Sequence, residues 1–142
     1  MWNTFIGDLK THLTTSCASF TGGTSATYQT YVGVQTGPKI PCVILLRDRE
    51  PDECIHNGTR GTVLFVAESH IIEAGTPETA YGTLNTLETA LRVGITSWQD
   101  VIEAGAGADC IVDIVGGILT DEFKPNLVSQ LIIQVKWDKR GH

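Results

Sequence analysis

The chain has 142 residues, of which 42% are hydrophobic and 18% are charged, and its formal net charge is −6. A chain of this length and composition can bury a core without disulfides or metals, which excludes a protein that is disordered throughout. The ten Lys and Arg residues form no cluster that could neutralise phosphates, so we expect no nucleic-acid-binding surface. No stretch reaches the ~18 apolar residues that a membrane helix needs.

The first residues, Met1 to Thr4, have neither the basic stretch nor the apolar core of a signal peptide. We therefore expect intracellular synthesis. In a reducing compartment the four cysteines are expected to be free thiols: Cys17, Cys42, Cys54 and Cys110. Thiol titration in denaturant without reductant should find all four.

The first third of the chain predicts a helix and two strands. Apolar residues at spacings of three and four indicate an amphipathic helix, namely Phe5, Ile6, Leu9 and Leu13. A small, polar loop follows at residues 21–27. Residues 28–34 alternate as a short strand, and the apolar run at 42–46, which follows Pro41, predicts a buried strand.

The most charged stretch of the chain, residues 47–53, contains Pro51 and cannot continue into a core. Asn57-Gly58 is a strong turn signal. An alternating strand then runs from Thr62 to Ile72. These features predict an antiparallel hairpin with a long charged tip.

The second half predicts helix and then hairpin. Thr76-Pro77-Glu78 is typical of a helix start, and we expect this helix to stop at Gly94. A shorter helix capped by Ser97 is expected to follow. The apolar, mostly β-branched run at 110–115 predicts a strand, with a bend or bulge at Gly116-Gly117. Residues 127–137 alternate strictly, which is typical of a strand with one buried face.

The predicted fold class is therefore α+β, with a mainly antiparallel sheet packed against two or three helices. No repeat of fixed period and no linker divides the chain. We expect a single domain that spans residues 1–142.

The sequence contains no recognisable catalytic or metal-binding motif. Gly22-Gly23-Thr24 lacks the lysine of a phosphate loop, and the glycines at 105 and 107 do not complete a dinucleotide motif. Cys54 and His56 have no second ligand pair at a spacing that suits zinc. Cys42 lies in an apolar strand, so it is expected to be an inert core thiol. We expect no enzymatic activity, no cofactor and no bound metal.

The acidic residues of the charged stretch allow two interpretations. Asp48, Glu50, Asp52 and Glu53 lack the glycine and the terminal glutamate of a calcium loop. They form either a solvated hairpin tip or a loop that contacts another protein.

Three stretches give the chain a resemblance to the tail terminator family of long-tailed bacteriophages, the lambda-type minor tail protein U and its relatives. The first is the amphipathic helix followed by the Pro-led strand of residues 40–46. The second is the run from the charged loop through the long strand and the Pro-started helix, residues 47–93. The third is the closing strand with its basic tail, residues 127–140. The resemblance covers nearly the whole chain, as a pattern of architecture and not as a signature motif.

The resemblance implies a hexameric ring that caps the head-proximal end of the tail tube, ends tube polymerisation and provides the docking face for the head or neck. Its implied partners are the tail tube protein, a neck or head-completion protein and the tape-measure protein, while DNA passes through the channel without specific binding. The implied location is the virion, after assembly in the host cytoplasm. The candidate interface residues are those of the charged stretch and the strand end that follows it: Arg47, Asp48, Arg49, Glu50, Asp52, Glu53 and Arg60.

Two alternatives remain open. A head-completion or neck adaptor protein is also small, ring-forming and acidic. From a different class, a small cytosolic enzyme or ligand-binding domain has the same size and composition.

Overall fold

The computed structural model describes residues 2–20, 28–33, 35–47, 60–72, 76–106, 109–120 and 126–138. Two helices and five strands follow one another along these residues. In chain order they are α1 (Trp2–Ser16), β1 (Gln29–Val32), β2 (Cys42–Arg47), β3 (Arg60–Ile72), α2 (Pro77–Ala106), β4 (Asp109–Thr120) and β5 (Asn126–Asp138).

The five strands form one mixed sheet in the order β1-β2-β3-β5-β4. β1 runs parallel to β2, and the other three neighbouring pairs are antiparallel. This confirms the α+β class with a mainly antiparallel sheet. It also confirms the antiparallel pairing of the second and third strands, in which Cys42 lies opposite His70.

The helices cover one face of the sheet, which we call the helix-bearing face. On β3 the residues of this face are all buried and alternate with half-buried ones: Val63, Phe65, Ala67, Ser69 and Ile71. They share one core with the apolar stripes of α1 and α2, for example Leu9 and Leu91. The opposite side of the sheet, which we call the open face, is half-buried along most of β3, for example at Leu64 and Val66, and it is buried at Cys42, Ile44 and Val128.

β5 confirms the strict alternation expected for the closing strand. Its helix-bearing face carries six buried residues, namely Leu127, Ser129, Leu131, Ile133, Val135 and Trp137. On the open face, Gln130, Ile132 and Gln134 are half-buried and Lys136 is exposed. The pairing of β4 with β5 shifts register between Ile114 and Gly116, which places a bulge directly beside Gly116-Gly117, the predicted position of a bend or bulge.

The predicted end of the second helix at Gly94 is wrong, and so is the separate helix capped by Ser97. α2 is a single helix of 30 residues that runs through both positions. Ser97 does not cap a new helix, because its hydroxyl donates to the carbonyl oxygen of Gly94 at 3.0 Å within α2. The same hydroxyl lies 2.8 Å from Nε2 of His12 on α1. The described part of the chain therefore contains two helices.

At Gly94, α1 approaches α2 so closely that a larger residue would not fit without a shift. A Cβ atom at Gly94 would lie 3.0 Å from Cδ2 of Leu13 and 3.2 Å from Cβ of Ser16. Leu13 is fully buried, so its side chain has little room to move. The glycine that looked like a helix stop in the sequence therefore serves a helix crossing.

Replacing Gly94 with Val should lower the free energy of unfolding by about 1–3 kcal/mol, because the added side chain overpacks the helix crossing. Gly82 offers a matched control on the same helix, since a Cβ atom there meets nothing within 4 Å. Gly82→Val should change stability by less than about 0.5 kcal/mol. Urea denaturation of both variants measures the difference. Equal effects at the two positions would contradict the close approach of the helices.

Candidate functional site

The structure places two of the seven predicted interface residues, Arg47 and Arg60. Arg47 is exposed at the end of β2 and lies opposite Phe65 of β3. Arg60 begins β3, five residues before Phe65. At the rise of an extended strand, the two arginine backbones are therefore roughly 17 Å apart along the sheet. The two residues lie on neighbouring strands, but the offset of the strands does not bring them together.

The other predicted interface residues lie outside the described residues: Asp48, Arg49, Glu50, Asp52 and Glu53. The predicted turn at Asn57-Gly58 lies outside them as well. The structure shows which strands flank the charged segment. It begins after a buried part of β2, where Val43 and Leu45 enter the core, and it leads into β3, whose first residues pair with the end of β5.

A polar cluster on the open face was not expected from the sequence. Nε2 of His70 lies 2.6 Å from Oε1 of Glu68 and donates to the carboxylate. Nε2 of Gln130 on β5 donates to Oε2 of the same carboxylate at 2.8 Å. Both oxygens of Glu68 therefore have a partner. The alternation of β3 put Glu68 and His70 on one face, but only the register of β3 against β5 brings Gln130 to them.

Cys42 lies beside this cluster, since it is opposite His70 in the pairing of β2 with β3. The side chain is fully buried, and burial, followed by the charge of Glu68, raises the pKa of the Cys42 thiol to about 12. A thiol with this pKa stays protonated at neutral pH and is a poor nucleophile. Cys42 is therefore the inert core thiol that its apolar strand predicts.

The raised pKa of Cys42 predicts a loss of stability in alkaline solution. The thiol ionises near its ordinary pKa of 9.0 in the unfolded chain and near about 12 in the folded one. Its contribution is fully present below pH 9 and is lost as the pH rises towards 12. Burial raises the pKa of Cys17 and of Tyr28 too, so these groups act in the same direction.

Urea denaturation between pH 8 and pH 11 tests this dependence. The free energy of unfolding should fall with rising pH, and Cys42→Ala should show a shallower fall than the wild type. Equal slopes would mean that Cys42 ionises as easily in the folded chain as in the unfolded one.

Three of the four cysteines are described, and all three are buried free thiols: Cys17, Cys42 and Cys110. This agrees with the expectation for these residues, and Cys54 lies outside the described part. The described residues contain no group of three or more His, Cys, Asp or Glu that could hold a metal ion. Neither of the helices that the structure describes has the length and apolar character needed to cross a membrane.

Two shallow grooves flank α2. One, of about 480 Å³, lies beside the crossing of α1 and α2 and is lined mainly by small polar residues such as Thr86 and Thr89. The other, of about 340 Å³, lies between α2 and the bulged part of the sheet. Ser129 lines the second groove, and its buried hydroxyl has no partner among the described residues. Both grooves are open to solvent.

A comparison of the sequence with known protein families finds no matching family, and a comparison with curated proteins finds no significant match.

Proposed function

We propose that this chain is a tail terminator subunit of a long-tailed bacteriophage. Six copies form a ring on the head-proximal end of the tail tube. The ring stops the addition of further tube subunits and presents a docking face to the head or neck. The chain acts as a structural protein of the virion, without catalytic turnover, cofactor or metal, and it assembles in the host cytoplasm.

The observation that carries the proposal is the order and layering of the elements. An amphipathic helix, a parallel edge strand, a hairpin with a charged connection, a long Pro-started helix and a closing hairpin follow one another in one α+β domain. Of these features, the resemblance to tail terminators implies the mainly antiparallel sheet packed on helices. A sheet with both helices on one face leaves its open face and its edges for contacts with other copies.

The charged segment 47–60 supplies the proposed contact with the neighbouring subunit or with the tube. It joins two strands that are anchored in the core, and it carries both signs of charge within a few residues, since Arg47 and Arg49 alternate with Asp48 and Glu50. Mixed charges favour a defined partner and orientation more than raw affinity. A ring requires two different complementary surfaces whose rotation closes.

The proposed partners follow from this position. They are further copies of the chain, the tail tube protein below, a neck or head-completion protein above, and the tape-measure protein at the end of the tube. The net charge of −6 disfavours adhesion of DNA, which is proposed to pass through the channel without specific binding.

Tail length in the absence of the protein tests the proposal against its alternatives. A phage lacking the gene for this chain should produce tubes longer than normal and without heads, and supplying the wild-type chain should restore both features. Headless tails of normal length would instead indicate a neck adaptor. Complete virions of normal appearance would indicate an enzyme or ligand-binding domain outside the particle.

A further inference from the structure

The sheet has two edge strands, β1 and β4, and each uses a glutamine side chain on its outer edge. On β4, the backbone N–H of Val112 donates to Oε1 of Gln99 on α2 at 3.0 Å. At the end of β1, Nε2 of Gln35 donates to the carbonyl oxygen of Val32, the last residue of the strand, at 3.1 Å, and to that of Gly33, where φ is positive, at 3.2 Å. A glutamine amide has the same donor and acceptor as a peptide group. At Val112 and at Val32, the glutamine amide therefore makes the bond that a peptide group of a neighbouring strand would make.

The backbone groups that the two glutamines bind on β4 and β1 are complementary, since one is a donor and the other is an acceptor. Val112 offers an outward N–H, and Val32 offers an outward carbonyl, because the N–H of the next residue, Gly33, points inward to Leu45. Both side chains lie on the helix-bearing face, since Val112 is opposite Val135 and Val32 is opposite Leu45. Val32 is 40% exposed, which leaves apolar surface to bury at this edge.

The directions of the two edge strands also allow β4 of one copy to pair with β1 of the next. β1 and β2 run the same way, β3 runs against them, β5 runs with them and β4 runs against them. When a second copy continues the sheet with its helices on the same side, its β1 lies antiparallel to β4 of the first. Neither edge strand contains Lys or Pro, two of the residues that protect an edge from such pairing, and the charged Asp113 of β4 lies on the face opposite to Val112.

We propose that the subunits of the ring join edge to edge, with β4 of one copy paired to β1 of the next and Val112 opposite Val32. The inference rests on the proposed ring, because a head-to-tail joint needs a closed assembly. On assembly, the bond between the N–H of Val112 and the carbonyl of Val32 replaces the bonds that these two groups make with Gln99 and Gln35. Before assembly, Gln99 and Gln35 satisfy these backbone groups and keep the edges from pairing at random. Six five-stranded sheets joined this way form a circle with a diameter of roughly 45 Å, which is large enough to enclose a DNA duplex.

Disulfide cross-linking tests the proposed register. The variant carries Val32→Cys and Val112→Cys in a Cys54→Ser background, and tails assembled with it are treated with a mild oxidant. We expect a ladder of covalent oligomers up to the hexamer on a non-reducing gel. A disulfide within one chain is excluded, because β1 and β4 are separated by four strand spacings, roughly 19 Å, and a disulfide spans less than roughly 7 Å between Cα atoms.

The matched control shifts the second thiol by one residue. Val32→Cys with Asp113→Cys places the two thiols on opposite faces of the joined sheet, so it should give no ladder. Val112→Cys alone should remain a monomer on the gel. Dimers from this single variant would show a two-fold pairing of β4 with β4 and would overturn the proposal.

The cross-linking result distinguishes a failure of the edge pairing from a failure of the proposed function. Rings that form normally without any ladder would overturn the edge pairing and leave the terminator assignment intact, whereas tails without a ring would refute the assignment itself. If the double variant does not fold, hydrogen exchange of the wild-type chain decides. The outward amides of Thr30, Val32 and Ile114 should exchange at least tenfold more slowly in rings than in free subunits, and equal rates would contradict the pairing.

Discussion

Replacement of Trp98 by Ala is expected to lower the free energy of unfolding by about 3–5 kcal/mol, a large part of the stability of a domain of this size. Trp98 is fully buried on α2 and meets the ring of Phe5 on α1 and that of Phe65 on β3, each at 6.5 Å between ring centroids. It therefore links both helices to the sheet. Truncation leaves a cavity that the three elements cannot close without moving.

Two further variants serve as comparisons, and urea or thermal denaturation measures the stability of all three. Val101→Ala, at a 52% exposed position of the same helix, should change stability by less than about 0.5 kcal/mol. Trp98→Phe should cost less than Trp98→Ala, because the indole N–H finds no acceptor among the described residues and its removal relieves a desolvation cost. A loss below about 1 kcal/mol for Trp98→Ala would contradict the central position of this side chain.

Reversing the acidic charges of the segment after β2 is expected to abolish assembly while leaving the fold intact. The variant replaces Asp48, Glu50, Asp52 and Glu53 with Lys. Exposed charges contribute little to folding, typically under ~1 kcal/mol each, whereas like charges brought together at an interface cost several kcal/mol. We expect a folded chain that neither forms rings nor caps tubes. In assembly this should appear as over-long or headless tails.

A control with the same change in net charge separates a local contact from a general charge effect. Asp8, Glu78, Glu88 and Asp100 lie on the two helices, exposed or half-buried, and their replacement with Lys should leave tail length normal. Circular dichroism and thermal denaturation verify that both variants fold. Tails of normal length joined to heads in the first variant would mean that the segment is only a solvated tip.

The sequence predicted the elements where periodicity and local chemistry agree. β5 shows strict alternation, and α2 begins where Thr76 and Pro77 indicate a start, with the hydroxyl of Thr76 accepting from the N–H of Thr79 at 3.3 Å. Local sequence chemistry could not decide whether the second helix ends at Gly94. A glycine after an apolar stripe has the same appearance whether it ends a helix or admits a second helix, and only the approach of Leu13 decides between them.

The site was less predictable than the fold, because it depends on register and on contacts distant in sequence. The carboxylate of Glu68 meets Gln130 through the pairing of β3 with β5, and Gln99 meets the N–H of Val112 through the packing of α2 beside β4. No short motif encodes either contact. The charged segment was visible in composition alone, but composition did not show that Arg47 and Arg60 are offset along the sheet.

Electron cryomicroscopy of tails that contain the protein is the most direct test of the terminator assignment. We expect a ring of six copies at the head-proximal end of the tube, with the fold described here fitting each subunit and the segment 47–60 at a contact with the neighbouring subunit or with the tube. A ring of different symmetry, a ring at the opposite end, or the absence of this chain from the tail would contradict it.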